Sequence, residues 1–173
     1  MNTVNGLPAH LLLVHAIVVL LPLAAFLLVL TAIWPAARRR FAAPNAILSA
    51  GTLVLVPITM NAGQWLEHRV EDTELLRHHT ALGDTALYTA LAVAVMALVI
   101  WWREQESAQL AKAPAGSRRF FLVPRSATLT RIVAGLAIVV AGVAIYDVYL
   151  IGDSGARASW EGNYSTTVTE GQD

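Results

Sequence analysis

A chain of 173 residues that is 56% hydrophobic and only 14% charged is too apolar for an ordinary soluble domain and long enough for several membrane spans. The absence of cysteine excludes disulfides, thiolate metal sites, iron–sulfur clusters and covalent c-type haem attachment, so a haem would have to be held by non-covalent contacts. The formal net charge of +0 points to no particular partner, since the charges divide between two membrane faces, and a nucleic-acid partner is not expected.

A helix crosses the hydrocarbon with about 20 largely apolar residues. Four stretches meet that length, residues 11–34, 42–62, 81–102 and 130–151. The first carries no formal charge apart from His15 and the second carries none; the third and fourth hold one aspartate each, Asp84 and Asp147, both near a helix end. These runs far exceed the roughly 4 to 8 residues of a strand and do not alternate as the strands of a lipid-facing barrel do. The expected fold class is all-α, an integral membrane four-helix bundle over residues 1–155, followed by a polar, flexible tail over residues 156–173. No basic residue precedes the first apolar run, which is longer than the roughly 7 to 15 residues of a signal-peptide core, so the first span is expected to remain.

In chain order, Asn5-Gly6-Leu7-Pro8 predicts a turn into the first helix, with Pro8 at or near the first helical position, where its missing N–H costs least. His10 then lies in the first turn and His15 deeper. A five-residue separation turns them about 140° apart around the axis, so one cofactor on one face would not easily take both. Pro22 falls mid-span and predicts a kink. The second span closes in Pro57-Ile-Thr-Met-Asn61-Ala-Gly63-Gln-Trp65-Leu66-Glu67-His68-Arg69, where Trp65 and Leu66 would anchor an interfacial segment. Asp72 or Thr73 offers an N-cap for a helix running unbroken from Glu74 through the third span to Arg103, with His78 and His79 just above the hydrocarbon edge. The segment from Arg103 to Thr128 contains a breaker at Pro114-Ala-Gly116 and an interfacial patch at Phe120-Phe121-Leu122-Val123. In the fourth span Gly135 and Gly142, two turns apart on one face, predict close approach to another helix, within the bundle or in a homodimer.

Nine of the 12 basic residues lie between spans one and two or between spans three and four: Arg38, Arg39, Arg40, Arg103, Lys112, Arg118, Arg119, Arg125 and Arg131. The positive-inside rule makes that side cytoplasmic and both termini extracytoplasmic. All five histidines, His10, His15, His68, His78 and His79, then fall at or near the outer edge, together with Asn61, Glu67, Asp84, Asp147 and Asp153. Histidine in or beside a bilayer is costly unless it is paired, protonated for a purpose or bound to something, which makes this level the candidate site.

Three chemistries compete there. Haem b would take two neutral imidazoles from different helices at matching depth, best met by His15 with His79 and flanked by His10 and His78. A divalent metal would combine imidazole with carboxylate, from His15, His68, His79, Asp84, Asp147 and Asp153. Proton transfer would use Asp84 and Asp147 with histidine as a relay. Each residue also has a plain structural reading: His10, His68 and one of His78 and His79 as solvated interfacial side chains, Asp84 as a partner of a helix dipole, and Asp147 paired to a histidine or to Arg69 or Arg77.

Four segments, Gly6-Leu-Pro-Ala-His10-Leu-Leu-Leu-Val-His15, Gly63-Gln-Trp-Leu-Glu67, His79-Thr-Ala-Leu-Gly83-Asp84 and Gly152-Asp-Ser-Gly155-Ala-Arg-Ala-Ser-Trp160, together resemble the bacterial membrane-protein family catalogued as domain of unknown function 2231. The resemblance covers nearly the whole chain. It implies a multi-pass protein of the bacterial cytoplasmic membrane. Because relatives occur fused to Rieske or cytochrome-type modules, it also implies a redox or respiratory setting with a haem site. On that resemblance His15 and His79 match recurring histidines, and His10 a position that is often histidine. Where many relatives have Gly-His-x-Gly, this chain has Gly152-Asp153-Ser154-Gly155, which removes a ligand and argues against a second haem. The resulting expectation is an outer-leaflet His/Asp site holding b-type haem for electron transfer, without independent enzyme activity. The alternatives are a non-catalytic accessory or assembly subunit of a membrane complex and a metal- or proton-handling protein.

Overall fold

The computed structural model describes residues 3–112, 127–162 and 164. The breaker at Pro114, the Phe120–Val123 patch and the tail past residue 164 lie outside them. The chain enters through a two-stranded antiparallel hairpin, β1 (Thr3–Val4) and β2 (Leu7–Pro8), with Val4 opposite Leu7. Asn5 and Gly6 have φ of 51° and 82°, the left-handed pair that a two-residue hairpin turn demands and that Asn-Gly adopts at least cost.

Helix α1 (Ala9–Ile33) begins directly after Pro8, its N-cap, and runs through Pro22. It stops at Trp34, whose φ of −114° and ψ of 109° are the extended geometry a following proline enforces. Pro35 then opens α2 (Pro35–Glu67) at its first position. The connection is therefore a single residue, and Arg38, Arg39 and Arg40, expected in a loop, lie within α2. At 33 residues α2 extends about 50 Å, well beyond roughly 30 Å of hydrocarbon, so both its polar ends reach an interface.

Thr73 caps α3 (Glu74–Gly83), its hydroxyl accepting from the Leu76 N–H at 3.1 Å. The predicted unbroken helix is interrupted: it turns at Asp84 and resumes as α4 (Thr85–Lys112). Asp84 keeps φ and ψ of −66° and −25°, within the helical region, so the interruption is one turn residue. Helix α5 (Ala127–Trp160) continues past Ile151, where the apolar stretch stops, so the first residues assigned to a flexible tail are helical.

Around the bundle the order is α1, α2, α4, α5, with α3 laid against the polar extension of α5. The core is built on small residues: Ala24, Ala25, Ala90, Ala94, Ala137 and Ala141 are buried between Leu21, Leu28, Val56, Val93 and Ile100. In lipid a leucine gains nothing by facing a neighbour rather than an acyl chain, so close backbone approach over alanine supplies the packing energy. Val19, Ile47, Val54 and Val139 accordingly face outward. Asn45, 1% exposed, pins the α1–α2 seam with its amide nitrogen 3.2 Å from Ala24 O and its oxygen 3.2 Å from Leu28 N. Gly135 and Gly142 take no part in this core: both are exposed, and a Cβ on either would meet nothing within 4 Å. With α3 and α4 taken together, four helices have the length and hydropathy to cross a membrane, which is the all-α four-helix architecture the composition demanded.

Candidate functional site

The histidines stand at one end of the bundle and Arg38, Arg39, Arg40, Arg103 and Arg131 at the other. At the histidine end, α1 presents His10 from its first turn toward α2, where the ring nitrogen Nδ1 lies 3.1 Å from Thr59 O. A carbonyl oxygen only accepts, so Nδ1 carries the proton and Nε2 keeps its lone pair. The Nδ1–Cε1 edge of the ring meets α2, with Cε1 only 2.9 Å from where a Cβ on Gly63 would stand.

His79 on α3 repeats the arrangement against α5. Its Nδ1 is 3.0 Å from Ser154 Oγ, while Ser154 Oγ is 3.0 Å from Ile151 O. The serine has a single hydrogen, and the carbonyl can only receive it, so Nδ1–H of His79 donates to the serine oxygen and Nε2 again keeps its lone pair. Its Cε1 lies 2.9 Å from a Cβ placed on Gly155. Both rings are half-buried, and they stand close enough that charge on one acts on the other. Protonated Nδ1 tied to an oxygen with Nε2 left open is the tautomer in which histidine most often meets a metal ion.

The other predicted residues are distributed differently. His15 does not join the pair: it is exposed, turned away from the face that carries His10, and its Nδ1 returns to Leu11 O of its own helix at 2.5 Å. His78 and His68 are exposed, the latter at the C-cap of α2, and Asp84 is exposed at the turn between α3 and α4. Asp153 pairs with Arg157 at 2.9 Å on the outer face of α5. Among the described residues no three His, Asp or Glu side chains converge as metal ligands.

Asp147 is buried, and its partners are neither histidine nor arginine. Arg69 instead covers the Trp65 ring at 3.9 Å and Arg77 pairs with Asp72 at 2.8 Å. The carboxylate reaches from α5 to α4, where Thr85 Oγ1 lies 2.5 Å from Oδ1 and Thr89 Oγ1 lies 2.8 Å from Oδ2. The sequence carries Gly63, Ser154 and Gly155 in segments that resemble the family but assigns them no role at the site, and it does not single out Thr59, Thr85 and Thr89. The one visible signal was small residues in otherwise polar helical stretches, Gly63 before Gln64 and Ser154-Gly155 after Asp153.

A model of the family described as "Predicted membrane protein (DUF2231)" matches residues 6–168, and the chain belongs to that family. No curated protein and no solved structure matches it.

Proposed function

We propose that the histidine end is the cofactor site of a membrane electron carrier, where Nε2 of His10 and Nε2 of His79 would hold a non-covalently bound b-type haem. What carries this reading is the repeated arrangement: two half-buried rings from different helices at one end of the bundle, each with Nδ1–H committed and Nε2 open. The donor set fits such a group, since two neutral imidazoles serve haem iron and the chain has no cysteine for covalent attachment. Gly63 and Gly155 fit it too, as each leaves the space its ring occupies. Haem would supply reversible one-electron transfer. The chain's own contribution is to fix both tautomers and ring planes. By the positive-inside rule the site faces away from the cytoplasm of a bacterial cytoplasmic membrane, where redox partners of a respiratory system would meet it.

Absorption spectra of protein expressed with added haem test the assignment. A Soret band lost in His10→Ala and in His79→Ala but kept in His15→Ala is the expected result; colourless wild-type protein, or loss only in His15→Ala, would sink it. A second reading, an accessory subunit, is favoured by the open outward face at Gly135 and Gly142, which would seat a helix of a partner complex or of a second copy. Colourless protein that co-purifies with a membrane complex, and loses it in Gly135→Leu/Gly142→Leu, would replace the haem reading by this one.

A further inference from the structure

The opposite end of the bundle holds a cleft walled by Ala32 of α1, Ile100 of α4 and Val133 of α5, with Arg38, Arg103 and Thr130 as its polar lining. Two arginines from different helices thus share one small space, and the charge of Arg38 acts on Arg103. Like charges set in a poorly polarisable wall call for counter-charge. Two glutamates balance them in formal charge from outside the cleft lining. Glu104 Oε2 is 3.8 Å from Arg38 Nε, beyond hydrogen-bond distance, while Glu106 accepts from Trp102 Nε1 at 2.9 Å and acts on Arg103 through its charge.

The two guanidinium groups are differently placed. Arg103 Nη2 donates to Thr130 Oγ1 at 3.1 Å, which sets its plane. The terminal nitrogens of Arg38 have no hydrogen-bond partner among the described residues. Guanidinium forks match the oxygens of a phosphate two at a time, with a fidelity that an ammonium lacks. The exposed Trp34 and Trp102 mark this level as a membrane–water interface, and the apolar part of the cleft continues from the arginines toward the bundle. We propose that this cleft binds an anionic phosphate group between Arg38 and Arg103, the headgroup of an acidic phospholipid being the source that its apolar wall and interfacial level accommodate.

Native mass spectrometry on the full chain, delipidated in neutral detergent, provides the test, with short-chain phosphatidylglycerol, short-chain phosphatidylcholine and inorganic phosphate titrated separately. One phosphatidylglycerol per chain is expected, bound on the order of ten-fold or more above phosphatidylcholine. Arg38→Gln/Arg103→Gln should abolish that preference. Arg39→Gln/Arg40→Gln, which removes the same charge from exposed neighbours, should keep it. Binding of inorganic phosphate with the same variant pattern and no preference for the lipid would assign free phosphate as the source. Equal binding of the two lipids by wild type with no phosphate bound, or equal loss in the two double variants, would overturn the proposal. Should the glutamine pair fail to fold, Arg38→Lys/Arg103→Lys keeps both charges and removes the forks; wild-type affinity in that variant would equally overturn it.

Discussion

His10 and His15 differ by five residues and about 140° of rotation, and that angle decides which of them stands near His79. Depth in the membrane was legible from position in the apolar run, and on depth alone His15 was the stronger ligand candidate. Azimuth was not legible, because it depends on which side of α1 meets α2, and the ring of His10 is received there by a glycine in another span. Gly63 and Gly155 therefore carry the residue-scale prediction. In an exposed helix, alanine in place of glycine would add about 1 kcal/mol. Here each new methyl would stand 2.9 Å from an imidazole carbon, so the ring must shift against its Nδ1 hydrogen bond or the helices must separate. Gly63→Ala and Gly155→Ala are each expected to cost about 1–3 kcal/mol in reversible unfolding from detergent micelles. Gly142→Ala, with nothing within 4 Å of its Cβ, should be neutral or mildly stabilising. Indistinguishable unfolding of the three variants would mean that the rings are not seated on those glycines.

At the scale of the element, the four long helices were legible because a bilayer admits few alternatives to runs of that length, whereas two of their boundaries were not. The helix expected to run unbroken from Glu74 is interrupted only by a turn residue at Asp84, whose φ and ψ of −66° and −25° stay helical. The helix expected to end near Ile151 runs to Trp160, since α3 supplies a polar surface on which the segment carrying Ser154 and Gly155 packs. Just inside the Asp84 turn, Asp147 ties α5 to α4 through Thr85 and Thr89. The i, i+4 spacing of the two threonines was readable as one face of a helix; their common partner depends on the register of α4 against α5, which sequence does not disclose. Thr85→Val/Thr89→Val leaves a buried carboxylate without donors and should cost about 1–3 kcal/mol. Asp147→Asn should cost less than about 1 kcal/mol, because an amide accepts from one hydroxyl and donates to the other. Equilibrium unfolding in mixed micelles would measure both, and a double threonine variant no less stable than Asp147→Asn would show that the clasp does not join the helices.

For the whole molecule, the separation of charge is what the positive-inside rule reads, and the two proposed sites stand at opposite ends of the bundle. In the sequence nine basic residues lie between spans one and two or between spans three and four, against Arg69, Arg77 and Arg157 elsewhere. Removing Arg38, Arg39 and Arg40 would still leave six against three, so the bias does not hang on the residues that also line the phosphate cleft. Alkaline phosphatase, active only outside the cytoplasm, is therefore expected to be active when fused after Trp160 and inactive when inserted after Lys112. A fluorescent protein that matures only in the cytoplasm should report the reverse. The same pattern is expected in Arg38→Gln/Arg39→Gln/Arg40→Gln, because the six basic residues between the third and fourth spans still set the bias. With four spans, both ends must share a side whichever way the chain inserts. An inverted pattern would place His10 and His79 toward the cytoplasm and Arg38 and Arg103 at the outer leaflet. The proposed electron carrier would then exchange electrons with cytoplasmic partners, and the phosphate cleft would draw on outer-leaflet lipid.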